Sequence, residues 1–246
     1  MIRLIAKLDI KPPYVVKPVH FDGLRKIGDP IKIAKDLYNQ GIDEIMYIDI
    51  VSSLFNSSID FKTINKTADH LYVPFGVGGG IRDIKHVHKL FENGADKIII
   101  NTYALQENPS IINEISHTYG NQSVVINIEA KKIDNNYTCY SDCGRIPSDK
   151  NLFDWISEII DRGAGEIFLQ SVDHDGRKKG FDVTLISKVV DKAKIPVIAA
   201  SGAGSLEHIK DLLHICRPSG IAISSLFHYK LATISDIKKE INRIYE

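Results

Sequence analysis

The sequence predicts an α/β protein built as a single (β/α)8 TIM barrel, and three observations carry that expectation. Short apolar runs alternate with helix-compatible stretches along all 246 residues, the runs number eight, and the second half repeats features of the first at a nearly constant offset. Eight strands joined by crossover helices close into a parallel barrel. A repeat at half the chain length favours two half-barrels over a doubly wound sheet. No long Pro/Gly/Ser linker or low-complexity block interrupts the rhythm, so residues 1–246 read as one domain with internal halves of about 1–122 and 123–246.

The strands are expected near Arg3–Ile10, Glu44–Ile50, Tyr72–Val77, Lys97–Asn101, Val124–Glu129, Glu166–Ser171, Pro196–Ala200 and Gly220–Ile223, each a short apolar run set off from helix-like sequence. Among the helices, DPIKIAKDLYNQG opens on Asp29, NPSIINEISHTYG on Asn108 and SLEHIKDLLHI on Ser205, and the first two end at glycine. Short polar side chains accept from the free N–H groups of a first turn, and glycine ends a helix easily.

The offset is visible in three pairs. GIDEI at Gly41 and GAGEI at Gly163 stand 122 residues apart, as do Gly80 of VGGGI and Gly202 of AASGAG. Asp9 of LDIK and Glu129 of NIEAK, each closing a strand, are 120 apart.

Composition narrows the function. With 43% hydrophobic and 25% charged residues the chain is an ordinary soluble globule, and 31 basic against 31 acidic residues leave no excess to attract nucleic acid or an anionic membrane. No apolar run approaches the roughly 20 residues of a membrane span, and MIRLIAKLDI carries charge where a signal peptide is apolar. A cytoplasmic protein is expected. Cys139, Cys143 and Cys216 read as free thiols, since one C-x3-C has no second ligand pair. The histidines form no ligand cluster apart from His86 and His88, whose spacing puts them on different faces of a helix, so no metal is expected.

The stretch VPFGVGGGIRD places Gly78, Gly79 and Gly80 between a strand and a helix start. Glycine is retained where φ is positive or where a ligand or backbone approaches closely, and a helix N-terminus offers N–H donors to an anion. A tight βα turn is the plain alternative. The repeat strengthens the phosphate reading, because Gly202 and Gly204 of SGAG form a second such turn on the opposite side of the same barrel face. The ligand is then a small molecule with a phosphate at each end. Asn101 and Thr102 after the fourth strand, and Ser224 and Ser225 after the eighth, supply hydrogen-bonding groups beside these turns, or act as helix caps.

Asp9 and Glu129 face the barrel mouth between the two turns. Confined carboxylates hold different protonation states, one as general base and the other as general acid; the alternative is a pair of loop anchors. Lys17 holds a phosphate or developing oxyanion, or is a solvated surface lysine. Asp49, and Asp175 with Gly176 in SVDHDG, orient ligand hydroxyls or cap loops. His174 and His228 belong to the same face.

In order along the chain, LDIK, VVK, FDGLRKIGDP, VGGGIRD, INTYALQENPS, GAGEI, SVDHDG, SGAG and SSLFH resemble the cyclase subunits of imidazole glycerol phosphate synthase, within the half-barrel family of histidine biosynthesis. The segment Phe21–Pro30 discriminates most, because the related isomerase of that pathway differs there. The resemblance spans nearly the whole chain. It implies a lyase that pairs as a heterodimer with a glutamine amidotransferase, receives its ammonia and turns phosphoribulosyl-formimino-aminoimidazole carboxamide ribonucleotide into imidazole glycerol phosphate and aminoimidazole carboxamide ribonucleotide. No cofactor or metal is implied. The family's catalytic aspartates fall on Asp9 and Glu129, the second changed in type. Its salt-bridge gate for ammonia falls on Arg3, Glu44, Lys97 and Glu166, all retained, and a glutaminase-interface residue falls on Asp96.

The chain departs from the family pattern around the substrate face. Pro12, Pro13 and Tyr14, then Lys17 and Pro18, replace the usual Asp-Gly-Arg and Lys-Gly, implying a stiffer loop. Glu129 carries an extra methylene, Ala200-Ser201-Gly202 replaces Ser-Gly-Gly, and Gln170 and Arg177 each stand for a threonine. Divergent paralogues in surface-sugar pathways combine such changes, so amination or amidination of a bacterial surface sugar is the second reading. A non-catalytic scaffold that activates its glutaminase is the third.

Overall fold

The computed structural model describes residues 1–19, 23–55, 57–134 and 136–243, so Phe21 and Asp22 of the discriminating segment lie outside the described residues. Eight parallel strands close a barrel: β1 (Arg3–Lys11), β4 (Glu44–Asp49), β5 (Phe75–Gly78), β6 (Lys97–Ile100), β7 (Val124–Ile133), β10 (Glu166–Ser171), β11 (Val197–Ala200) and β12 (Gly220–Ile223). Closure comes from β12 pairing with β1, Arg3 opposite Gly220, and from β7 pairing with β10, Glu129 opposite Gln170. The expected strands are all present. The third starts later, at Phe75, and leaves Tyr72 84% exposed.

Four further strands form two antiparallel ribbons that no sequence pattern announces. β2 (Tyr14–Val19) folds back on β1 and carries β3 (Gly23–Gly28); β8 (Asn136–Ser141) folds back on β7 and carries β9 (Ile146–Asn151). Each ribbon follows the first strand of one half. The Pro12–Pro13 segment is thus the turn of a β1–β2 hairpin, with Lys11 opposite Tyr14.

Helices surround the barrel: α1 (Pro30–Asn39), α2 (Ser52–Phe55), α3 (Phe61–Ala68), α4 (Ile84–Glu92), α5 (Ile111–Tyr119), α6 (Leu152–Asp161), α7 (Val183–Lys192), α8 (Leu206–Ile215), α9 (Ser225–His228) and α10 (Ile234–Asn242). α1 starts where Asp29 accepts from Lys32 N–H at 2.9 Å and Pro30 needs no partner. α5 is different from expectation. Its N-cap is Ser110, and Asn108 instead caps the preceding turn through Ser110 N–H. A π-helical turn, Tyr103–Glu107, precedes it beside the barrel mouth.

Period-two alternation sorts each strand's side chains into two apolar groups. Leu4, Ala6, Leu8 and Ile10 of β1 pack outward under the helices, while Ile5 joins Met46, Ile48, Ile99, Val125, Phe168, Ile198, Ala200 and Ala222 inside the barrel. On β5 the interior positions are glycines, and a Cβ on Gly76 would stand 3.1 Å from Ile99 Cδ1. Below this layer the strand starts carry a closed ring of charge: Arg3 and Lys97 each contact both Glu44 and Glu166, Lys97 at 2.9 Å in both cases.

The glycine turns after β5 and β11 match in detail. Asp83 and Ser205, 122 residues apart, cap α4 and α8 with nearly the same backbone angles, −155°/169° and −155°/168°. Each turn also donates one N–H to a histidine Nδ1 four residues on, Arg82 to His86 at 3.4 Å and Gly204 to His208 at 3.1 Å. The glycines themselves meet protein. A Cβ on Gly79 (φ +100°) would lie 2.1 Å from the Asp49 carbonyl oxygen, and one on Gly202 (φ +94°) 2.0 Å from that of Gly180. Close backbone approach therefore accounts for these residues before any ligand is considered.

This predicts a contrast between two glycines of positive φ. A Cβ added at Gly41 (φ +88°) would meet nothing within 4 Å, so Gly41→Ala costs only conformational strain, about 1 kcal/mol. Gly79→Ala adds a backbone collision and should cost at least about 2 kcal/mol more in chemical denaturation. Equal losses would show that the Asp49 contact is easily relieved.

Candidate active site

At the C-terminal ends of the strands two cavities open side by side. The larger is lined by Asp9, Asp49, Gly79, Gly80, Arg82, Asn101, Thr102, Asn127, Glu129, Cys143, Gly144 and Gln170. The smaller is lined by Lys17, Gly176, Lys178, Ser201, Gly202, Ser224 and Ser225. Lys7 and Asp175 border both. Each glycine turn thus edges one cavity, and they sit on opposite sides because β5 and β11 are four strands apart in the closed order. Gly204 does not line either cavity; it packs on the Lys178 carbonyl oxygen.

Asp9 and Glu129 come together on the floor, 1% and 8% exposed. Burial acts on both to favour the neutral acid, but their neighbours differ. Lys7 Nζ lies 2.9 Å from Asp9 Oδ1 and Lys17 Nζ 3.8 Å from Oδ2. Desolvation is outweighed by these ammonium groups, and the Asp9 carboxyl is held below its ordinary range. Apart from the ammonium contacts, neither of its buried oxygens has a hydrogen-bond partner among the described residues. Glu129 receives Gly144 N–H at 2.7 Å on Oε2 and Asn127 Nδ2 at 3.3 Å on Oε1. Those neutral donors do not offset burial, which pushes the carboxyl up to about 7. The two buried carboxyl groups are thus shifted in opposite directions, Asp9 toward the carboxylate and Glu129 toward the neutral acid.

Lys17 is a buried member of β2 rather than a solvated lysine. Other expected ligand groups already have protein partners. Thr102 Oγ1 donates to Asp142 Oδ1 and accepts Asp142 N–H, and Asn101 Nδ2 donates to the Tyr140 carbonyl, which together dock the β8–β9 turn over the cavity. Ser224 Oγ donates to the Lys7 carbonyl oxygen at 2.7 Å. Asp49 caps α2 through Val51 and Ser52, and Asp175 accepts from Ser201 Oγ at 3.0 Å. His174 is engaged with the Gly180 carbonyl, whereas His228 is kept neutral by burial, its titration lowered to about 4 despite Asp9 nearby.

Lys7, Asn127 and Gly144 were not anticipated. The first two stand two residues before Asp9 and Glu129, on the same inward rows, so strand alternation applied to those carboxylates points to them. Gly144 follows Asp142 (φ 50°) and Cys143 (φ 60°) in a left-handed run at a ribbon tip, which carries no strand pattern. Gln170 is joined to the acid by a line of hydrogen bonds: its Nε2 donates to Asn127 Oδ1 at 2.8 Å, and Asn127 donates to Glu129.

At the opposite end of the barrel, burial raises the Glu44 carboxyl above its usual range against the pull of Lys97 and Arg3. Asp96 is exposed beside this ring, and one of its oxygens accepts Phe75 N–H at 2.9 Å.

A family model described as "Histidine biosynthesis protein" matches residues 3–233. The chain belongs to that family. Among curated relatives it is 42% identical to the imidazole glycerol phosphate synthase subunit HisF of Pyrococcus furiosus, over 96% of this chain and 93% of that protein. The subunits of the same name from Parabacteroides distasonis and Natranaerobius thermophilus are 39% and 37% identical, over 96% and 98% of this chain and 94% and 95% of theirs. The histidine biosynthesis match runs from the first strand of the barrel past its last, so the whole barrel, both cavities and the ring included, falls within the family. Among the described residues no helix is long and apolar enough to cross a membrane.

Two measurements test the carboxylate pair. Asp9→Asn and Glu129→Gln should each reduce ammonia-dependent turnover by about 10² to 10⁴ while ligand affinity is largely kept. Independently of activity, Glu129 bears on stability: its folded titration point lies above the ordinary carboxyl value of 4.5, so its contribution is complete below that value and is lost as pH rises through about 7. Glu129→Gln should therefore gain stability relative to the parent between pH 4.5 and 8, by up to about 3 kcal/mol in denaturant titrations. No pH-dependent difference would mean that Glu129 is ionised in the fold.

Proposed function

We propose that this chain is the cyclase subunit of an imidazole glycerol phosphate synthase, a lyase of histidine biosynthesis that uses ammonia supplied by a glutaminase partner. The observation that carries the reading is the pair of unlike carboxylates in the larger of two adjoining glycine-turn cavities. Attack by ammonia leaves a surplus proton on the nitrogen and negative charge on the acceptor's oxygen. Asp9, ionised, takes the proton; Glu129, protonated, supplies one to the oxygen. The glycine turns hold the two phosphates through N–H groups at the starts of α4 and α8, with Lys17 and Lys178 adding charge at the smaller cavity. The test is an assay with the phosphoribulosyl substrate and ammonium salt, which needs no glutaminase. Formation of imidazole glycerol phosphate and aminoimidazole carboxamide ribonucleotide is expected, and absence of both products at any pH from about 6 to 9 would sink the assignment.

The partner docks at the end of the barrel that carries the ring. Support comes from exposed side chains at strand starts, the apolar Tyr72 before β5 and Ile215 at the end of α8, and Asp96 before β6. Ammonia released by the partner enters through Arg3, Glu44, Lys97 and Glu166 and travels along the apolar interior.

A second acceptor, a surface-sugar precursor, is favoured by one observation. Glu129 and Gln170, both departures from the family pattern, belong to a single hydrogen-bonded line on the floor, while the ring is unaltered. Product formation in the same assay decides between the two.

The gate makes its own prediction. Lys97→Ala leaves the fully buried Glu44 with Arg3 as its only cation among the described residues. Glutamine-dependent turnover should fall by about tenfold or more, while turnover with external ammonium, which reaches the floor from the open face, changes much less. Equal losses by both routes would reduce the ring to a stabilising element.

A further inference from the structure

We propose that Lys7 is a positioning residue of this site: its ammonium, lodged on the floor between the two cavities, fixes Asp9 as the proton acceptor and so separates the roles of Asp9 and Glu129. The proposal rests on reading those carboxylates as the acid–base pair. Lys7 is third in the inward column Arg3, Ile5, Lys7, Asp9 of β1, above the apolar layer and below the carboxylate. Its backbone is pinned by Ser224 Oγ, and its head group meets Asp9 at 2.9 Å. On its other side it faces Asp175, whose Oδ1 is already taken by Ser201 Oγ.

The groups around Asp9 explain why Lys7 decides. Lys17 of β2 is the other nearby cation, but it stands farther off at 3.8 Å. His228 of α9 is neutral through burial, Cys143 of the β8–β9 turn is kept as a thiol by burial, and Glu129 of β7 and Asp175 after β10 can only oppose ionisation of Asp9. Glu129 has no cation within ion-pair distance among the described residues. The two acids are similarly buried, but Asp9 has two ammonium groups beside it, Lys7 the nearer, where Glu129 has two amide donors. Burial tends to discharge a lysine, yet Lys7 stays protonated because Asp9 and Asp175 together outweigh that cost.

The test compares pH profiles of kcat/KM at constant free ammonia for the parent, Lys7→Met and Lys7→Arg, with a carbon-13 NMR titration of the Asp9 carboxyl in each. Losing the ammonium raises the Asp9 titration point, so the acid limb and the NMR midpoint should both move up by about one pH unit, and Lys7→Arg should move them back. If Lys7→Met does not fold, Lys7→Gln carries the same test. A drop in kcat with both midpoints unmoved, or no recovery with arginine, would overturn the proposal and leave Lys7 as packing. Failure of the underlying reading looks different: Asp9→Asn or Glu129→Gln would then turn over normally, whatever Lys7 does.

Discussion

Closing eight parallel strands into a barrel points every second side chain at the axis, and both the carboxylate pair and the charged ring are arranged along those inward columns. On β1 the column runs Arg3, Ile5, Lys7, Asp9; on β10 it runs Glu166, Phe168, Gln170; on β7 it runs Val125, Asn127, Glu129. At about 3.3 Å of rise per residue, Arg3 and Asp9 stand roughly 20 Å apart along the strand. Charge therefore occupies both ends of the barrel, with an apolar layer between. No residue could be shifted by one position without exchanging an interior group for one under the helices.

The two charged levels are balanced in different ways. In the lower ring each cation touches both anions, so desolvation is met by a closed set of partners, and the raised titration of Glu44 shows burial still exerting its cost. On the upper floor the cations are distributed unevenly. Lys7 and Lys17 both stand beside Asp9, while Glu129 has only amide donors. That asymmetry shifts two buried carboxyl groups in opposite directions, which a symmetric ring like the lower one would not do.

Much of this architecture was legible because burial on both faces leaves barrel strands as dense apolar runs. KIII of β6 and GIAI of β12 cannot be read otherwise. The ribbons escaped notice for the opposite reason. IPSDKN of β9 and GLRKIG of β3 lie outside the barrel, contain proline, glycine and charge, and bury no continuous face, so they show neither alternation nor an apolar run. Asp9 and Glu129 could be located because each closes a strand at a repeated position, and the four ring residues because each stands at or beside a strand start and matches the gate that the resemblance implies. Lys7 could not be found by motif. It is flanked by apolar residues and becomes meaningful only when the column through Asp9 is followed inward. The glycine run drew attention for a reason that proved partly internal, since Gly79 yields space to the Asp49 backbone as well as edging a cavity.

The second turn shows how the floor can diverge while the rest holds. Ser201 occupies φ +71° at the place equivalent to Gly79, a conformation that costs a serine something a glycine avoids. In exchange its hydroxyl reaches Asp175, which faces Lys7, which in turn meets Asp9. Gln170 works through Asn127 onto Glu129 in the same manner. Through hydrogen bonds Gln170 thus reaches Glu129 and Ser201 reaches Asp175, whose charge acts on Lys7, and neither line leads to the ring. Because ring and floor sit at different levels of shared columns, separated by apolar side chains, substitutions on the floor can change the groups around the two carboxylates without disturbing the charge contacts of the ring.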